Sequence, residues 1–171
     1  TIQNALQTKK PSAKVIATGC MVQKDKERIQ KECPEIHYLL GSGDALGILK
    51  AVEAEENGSE VSDIRSFLES GEVPRAISTN HFAYVKIAEG CRKRCSFCII
   101  PDIKGPLKSK SEEQILNEIR ILLNSGTKEI ILIAQDLGDY GKDRGSFKSE
   151  GLINLLKRIM QEEKRDFWLR L

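Results

Sequence analysis

The sequence predicts an α/β fold with parallel sheets, arranged as two α/β units joined by a polar segment. Three observations lead there. Short β-branched runs alternate with stretches of helical periodicity in both halves of the chain. Between the halves, from about Asn57 to Asn80, the sequence turns polar and acidic. One run, EIILIA at Glu129–Ala134, is β-branched almost without a break, as strands covered on both faces are. The 171 residues, 40% apolar and 30% charged, suffice for one ordinary domain or parts of two. A net charge of +2 points neither toward nor away from a nucleic-acid partner. No apolar run approaches a membrane span and no signal peptide is visible, so a cytoplasmic protein is expected.

The first unit is expected over 1–58. Ile2, Ala5 and Leu6, with Lys9, Lys10 and Pro11 behind them, read as the tail of a helix. Lys14–Thr18 (KVIAT) reads as a buried strand that ends at Gly19, with Cys20 at its tip. The charged stretch from about Gln23 to Glu32 reads as a surface helix stopped near Pro34. Ile36–Leu40 is a second strand. Ser42 or Asp44 could cap a following helix, in which Ala45, Ile48, Leu49 and Val52 recur at helical spacing. Asn57 and Gly58 would end it.

A linker is expected over 59–80, with one short helix marked by Ile64, Phe67 and Leu68 and a surface or capping histidine, His81, behind it. The second unit is expected over 81–171. Phe82–Ala88 (FAYVKIA) is its first strand. Ser111 with Gln114 makes a capping-box pattern ahead of an apolar stripe of Ile115, Leu116, Ile119, Leu122 and Leu123, closed by Gly126. Glu129–Ala134 then completes a βαβ unit. A polar, glycine-bearing loop, Gln135–Gly145, follows at the sheet's C-terminal edge. A helix over about Leu152–Glu162 turns Leu152, Leu155, Leu156 and Ile159 inward, and Phe167–Leu171 opens a third strand. Repeated βα units point to a full or partial (β/α) barrel, whose chemistry sits at the C-terminal ends of its strands.

The chemistry is concentrated in GCRKRCSFCIIP, Gly90–Pro101, which follows the first strand of the second unit. It sets Cys91, Cys95 and Cys98 in a CxxxCxxC spacing. Clustered thiolates select zinc, copper(I) or iron–sulfur centres. Structural zinc wants four protein ligands, usually in two-plus-two spacing, and here a fourth would have to come from elsewhere. A disulfide would leave an odd thiol. Both readings stay open behind an iron–sulfur centre. Three thiolates on a four-iron–four-sulfur cluster leave one iron open to a small molecule. Five cysteines, three of them clustered, suit a reducing compartment. Gly90 is expected to let the backbone turn into the loop, and Arg92, Lys93 and Arg94 form either a solvated face or a positive surround that favours cluster reduction.

CxxxCxxC with an aromatic, Phe97, before its last cysteine closely resembles the radical S-adenosylmethionine enzymes. The order of a TGC tip (TGCMVQ, 18–23), a polar linker and CxxxCxxC on a barrel narrows the resemblance to the methylthiotransferases. It covers nearly the whole chain and is strongest in HFAYVKIAEGCRKRCSFCIIP and KEIILIAQDLGDYG. The resemblance implies the C-terminal part of a methylthiotransferase N-terminal domain, followed by the first βα units of a radical-enzyme (β/α) barrel. It implies a cluster on Cys91, Cys95 and Cys98 whose open iron holds S-adenosylmethionine, and Gln135, at a strand tip facing the same edge, is a candidate contact to that cofactor. It further implies a second four-iron–four-sulfur cluster, with Cys20 as the last of three ligands and the other two upstream of Thr1. That expectation agrees with a chain that begins without Met and stops in an apolar run, as a segment of a longer protein would. Cys33 has no counterpart and is read as a structural thiol.

The family divides by substrate. One branch modifies an adenosine of transfer RNA, the other an aspartate of the twelfth protein of the small ribosomal subunit. The AQDLGDYG stretch and the HFAYVKIAEGC lead-in resemble the ribosomal branch, leaving transfer RNA as the alternative partner and a non-catalytic iron–sulfur or zinc module as a reading of another class. The resemblance implies hydrogen abstraction from the aspartate β-carbon, sulfur from the second cluster, a methyl group from a second S-adenosylmethionine, and an external electron donor. Two departures stand out. The family's Arg-Gly after Ile-Pro is Lys104-Gly105 here, and its Ser-Arg is Ser109-Lys110. Lysine does not replace arginine at a bidentate site, which puts a carboxylate-clamping role for Lys104 and Lys110 in doubt.

Overall fold

The computed structural model describes residues 2–62 and 81–171, so the short helix expected around Ile64, Phe67 and Leu68 lies outside the described residues. The described residues fall into two compact units, 2–62 with Lys93–Gly105, and 81–92 with Pro106–Leu171.

In the first unit the elements run α1 (Ile2–Thr8), β1 (Ile16–Thr18), α2 (Cys20–Glu32), β2 (Tyr38–Leu40), a 3-10 turn at Ala45–Gly47, α3 (Ile48–Glu53) and β3 (Gly58–Glu60). The three strands form a parallel sheet in the order β1-β2-β3. The expected elements are present, with four corrections. The helix after β1 starts at Cys20 rather than near Gln23, and it is kinked at Asp25, whose φ is −125°. Gly58 does not end a helix: α3 stops at Glu53 and Gly58 opens a third strand. Three residues with no β-branched side chain carry no strand signal, and pairing with β2 alone makes them one. Asp44 does not cap the turn that follows it. Its carboxylate instead accepts from the Ser62 N–H at 2.9 Å and from its hydroxyl at 2.6 Å. Finally, the stripe of Ile48, Leu49 and Val52 is exposed, Leu49 by 72%, and only Ala51 on α3 is buried. A helix of six residues is too short to bury a full stripe. The core here is Val22, Ile29, Cys33, Ile36 and Leu39 on one side of the sheet and Tyr38, Leu40 and Ala51 on the other. Cys33, buried, is a packing residue as expected.

The second unit opens with β4 (Phe82–Lys86) and β5 (Ala88–Glu89); α4 (Ile100–Lys104), which belongs to the first unit, intervenes, and β6 (Lys108–Ser109), α5 (Glu112–Asn124), β7 (Glu129–Ile133), α6 (Glu150–Glu162) and β8 (Trp168–Arg170) follow. β4, β7 and β8 form a parallel sheet in that order, with Phe82 opposite Glu129 and Glu129 opposite Trp168. The capping box on α5 is formed: the Ser111 hydroxyl accepts from the Gln114 N–H, and the Gln114 side chain accepts from the Ser111 N–H. All five stripe residues of α5 are buried, and they pack with Leu155 and Ile159 of α6 against Ala83, Val85, Ile130 and Leu132. One expectation fails. Strand β7 buries Ile130 and Leu132 fully on one face, while on the other Glu129 and Ile131 are half-buried and Ile133 is exposed. A continuous β-branched run does not distinguish one covered face from two once the strand is five residues long. Among the described residues no helix is long and apolar enough to cross a membrane.

Candidate metal centre

β4 and its continuation deliver the chain to the cysteine loop. The Ile87 N–H donates to the Ile133 carbonyl at 3.0 Å, and the Lys110 N–H returns to the Ile87 carbonyl at 2.8 Å. Between these bonds β5 and β6 pair antiparallel, Ala88 with Ser109 and Glu89 with Lys108. Nothing in the sequence announces this ladder, since two residues carry no period. It fixes both ends of the loop that bears the cysteines. Gly90 follows at φ +76°, the left-handed region in which a side chain would be strained, and the chain turns there into Cys91.

The three thiols are unpaired by disulfides and reachable: Cys91 and Cys98 are half-buried and Cys95 is exposed. The Cys98 N–H donates to the Cys95 carbonyl at 3.0 Å, so these two cysteines stand at the ends of one hydrogen-bonded turn. Cys91 lies outside that turn, and among the described residues no group of three or more His, Cys, Asp or Glu side chains is gathered around a common point. The donor set itself fits an iron–sulfur cluster: three accessible thiols on one loop, with both ends of that loop held. Arg92, Lys93 and Arg94 are exposed, and Phe97 is 91% exposed. Cys20 is an exposed thiol at the first position of α2, separated from β1 by Gly19. One thiol supplies one ligand, so the donor set in this chain does not by itself make a second site.

The second loop of interest follows β7. The Gln135 amide donates through Nε2 to Glu89 Oε1 at 2.7 Å, while Lys86 Nζ lies 2.7 Å from Glu89 Oε2. Glu89 is 1% exposed. Sequence reasoning missed this carboxylate, although an acidic residue at the buried end of a strand was the available signal. Further along, the Ser109 hydroxyl accepts from the Gly141 N–H at 2.9 Å and donates to Asp143 Oδ1 at 2.5 Å, and the Ser109 N–H donates to Asp143 Oδ2 at 2.9 Å. Tyr140, buried, donates its hydroxyl to the Lys110 carbonyl at 2.9 Å, and burial pushes its phenol well above the ordinary range. Gly151 at the start of α6 lies against this loop, where a Cβ would collide with the Tyr140 carbonyl oxygen. Lys110 is 1% exposed and ion-paired at 2.8 Å with Glu118, itself buried. Its ammonium is therefore committed to α5. Lys104 sits half-buried at the end of α4.

Comparison with known proteins places these features. A model of the radical S-adenosylmethionine superfamily matches residues 85–164. Over 172 aligned residues the chain is 58% identical to the ribosomal protein uS12 methylthiotransferase RimO of Protochlamydia amoebophila, covering 100% of this chain and 36% of that protein. It is 55% identical to the protein of the same name from Chlamydia caviae, over 99% of this chain and 37% of that one. Against the Prochlorococcus marinus (strain MIT 9312) protein of that name it is 42% identical, over 93% and 36%. The chain thus spans a little over a third of the length of these curated relatives. Among solved structures it superposes on the radical S-adenosylmethionine methyltransferase TsrM from Kitasatospora setae with a TM-score of 0.54 and 16% identity, over 87% of this chain and 34% of that one. That likeness is one of fold. Residues 85–164 with their CxxxCxxC loop thus match the radical S-adenosylmethionine superfamily, and over its whole length the chain is similar to proteins named as uS12 methylthiotransferases.

Proposed function

We propose that this chain carries the radical-generating part of an enzyme that places a methylthio group on the β-carbon of an aspartate in a small-subunit ribosomal protein, in the cytoplasm. The observation that carries this reading is the 58% identity over the whole chain to a protein named for the modification of uS12. The β-carbon C–H bond is too strong to yield to acid–base chemistry near neutral pH, so a radical route is required. When bound, a reduced four-iron–four-sulfur cluster with S-adenosylmethionine supplies that route by delivering a single electron.

The residues of this chain prepare the place for it. Cys91, Cys95 and Cys98 would hold three corners and leave the fourth for the amino acid end of S-adenosylmethionine. Gly90 aims the chain into the loop, and the β5–β6 ladder fixes both of its ends. Arg92, Lys93 and Arg94 put positive charge beside an anionic cluster, an effect weakened by their exposure to water. Gln135, two residues beyond β7, would contact the cofactor. Cys20 would give one thiolate to a second cluster that stores the sulfur, and an external one-electron donor is needed.

The test uses the full-length protein, reconstituted without oxygen. Cys95→Ala should lose most of the loop's iron and should form no 5′-deoxyadenosine from S-adenosylmethionine. A variant that kept both would end the assignment. Assays on uS12 and on transfer RNA with the same preparation separate the two substrate classes, and Cys20→Ala should lower iron content without touching the Cys95-dependent share.

A further inference from the structure

The buried carboxylate of Glu89 has a use beyond holding the sheet together. A carboxylate withdrawn from water needs a cation or donors on both oxygens. Lys86, at the end of β4, neutralises one oxygen at 2.7 Å. The other accepts from Gln135, which lies beyond β7 and is itself exposed. A glutamine amide presents two donors on one side and an acceptor on the other, and in most surroundings either side can turn outward. A carboxylate removes that choice because it only accepts. With one N–H of its NH2 given to Glu89, Gln135 keeps its carbonyl oxygen as the acceptor on the opposite side of the amide. That oxygen fits a ligand group that donates, such as an ammonium, an exocyclic amine or a hydroxyl.

We propose that Glu89 is a positioning residue that fixes the Gln135 amide as a hydrogen-bond acceptor for a donor group of S-adenosylmethionine. Glu89 acts through Gln135 and does not touch the cofactor. Both lie at the C-terminal edge of the β4–β7 pair, and only Gly90 separates Glu89 from Cys91 in the chain. This inference rests on the radical-enzyme reading above and specifies one contact within it.

The experiment measures binding, with the full-length, cluster-loaded protein. Equilibrium dialysis gives the affinity for S-adenosylmethionine, and electron paramagnetic resonance gives the change that the cofactor causes in the reduced cluster's signal. Glu89→Ala and Gln135→Ala should each weaken binding about tenfold, the size of one hydrogen bond lost from a charged donor. The double variant should bind no more weakly than either single one, because the two residues act as one contact. Glu89→Gln preserves shape and loses orientation. It should keep its iron and still bind about as weakly as Glu89→Ala. Normal affinity in either alanine variant would overturn the inference, as would losses that multiply in the double variant. Loss of iron in both Glu89 variants would also overturn it, since Glu89 would then be supporting the cysteine loop. A wild-type protein with full iron that cleaves no S-adenosylmethionine removes the functional reading and this inference together. Wild-type cleavage with unchanged binding in the variants removes the inference alone.

Discussion

Two loops leave neighbouring parallel strands of the same sheet, and they are held in opposite ways. The loop after β4 and β5 shows water an unbroken exposed run from Arg92 to Phe97. The loop after β7 buries Asp139, Tyr140 and Gly141 and is tied by Ser109, Asp143 and Tyr140 to the strand beside it. The first leaves its sulfurs reachable, and a loop of exposed side chains buries too little to define its own shape. The second is held in one shape by buried hydrogen bonds from Ser109, Asp143 and Tyr140. A single sheet edge thus carries a loop specified by its own contacts and a loop suited to being specified by what it binds.

The sharpest way to break this comparison is at Lys110. Removing one member of a buried ion pair leaves the other uncompensated, and Lys110→Ala should cost about 3–5 kcal/mol. Denaturant unfolding would read this as a lower midpoint with an unchanged slope. Replacing both partners by Lys110→Met and Glu118→Leu should recover most of the loss. Next in size is Ser109→Ala, which removes two hydrogen bonds to the loop after β7 at a cost of about 1–3 kcal/mol. Amide exchange should quicken at Gly141, while the reactivity of Cys91, Cys95 and Cys98 toward a thiol reagent stays as it was. If those thiols also changed, the two loops would not be independent.

A smaller effect is expected from Arg158, which bridges Glu112 and Glu113 of α5 to Glu162 of α6. Its hydrogen bonds hold the carboxyls of Glu113 and Glu162 below their ordinary value of 4.5. A depressed folded value means that this contribution is fully present above the ordinary carboxylate range and is lost as the pH falls through the lower folded values. The thermal midpoint should therefore fall more steeply with acid in the wild type than in Arg158→Ala, and added salt should flatten the difference. The smallest effect belongs to the other loop. Phe97→Ala should change stability by less than about 0.5 kcal/mol, because an exposed side chain has little packing to lose. A loss of several times that amount would show that the cysteine loop specifies its own fold after all.

Most of the second unit was legible in the sequence because each of its long elements repeats a signal. The α5 stripe names its buried face five times, and its capping box fixes where it starts. The shorter pieces gave no such redundancy. The strands at Gly58–Glu60, Ala88–Glu89 and Lys108–Ser109 exist because a partner is in register beside them. The stripe on α3 promised a buried face that a helix of that length does not have.

The sequence by itself placed three thiols at CxxxCxxC spacing on one loop, since ligand spacing along a chain needs no coordinates. It also determined the parallel βα order, because hydrophobic period is a local property. Only the tertiary structure decided what the charged residues do. A lysine at position 110 reads as a weakened carboxylate clamp until α5 places Glu118 against it and takes it out of water. Glu89 reads as an ordinary strand end until Lys86 and Gln135 close on it. The role of a charge depends on its distance to other charges and on the water it has lost, and both are set by residues far away in the chain.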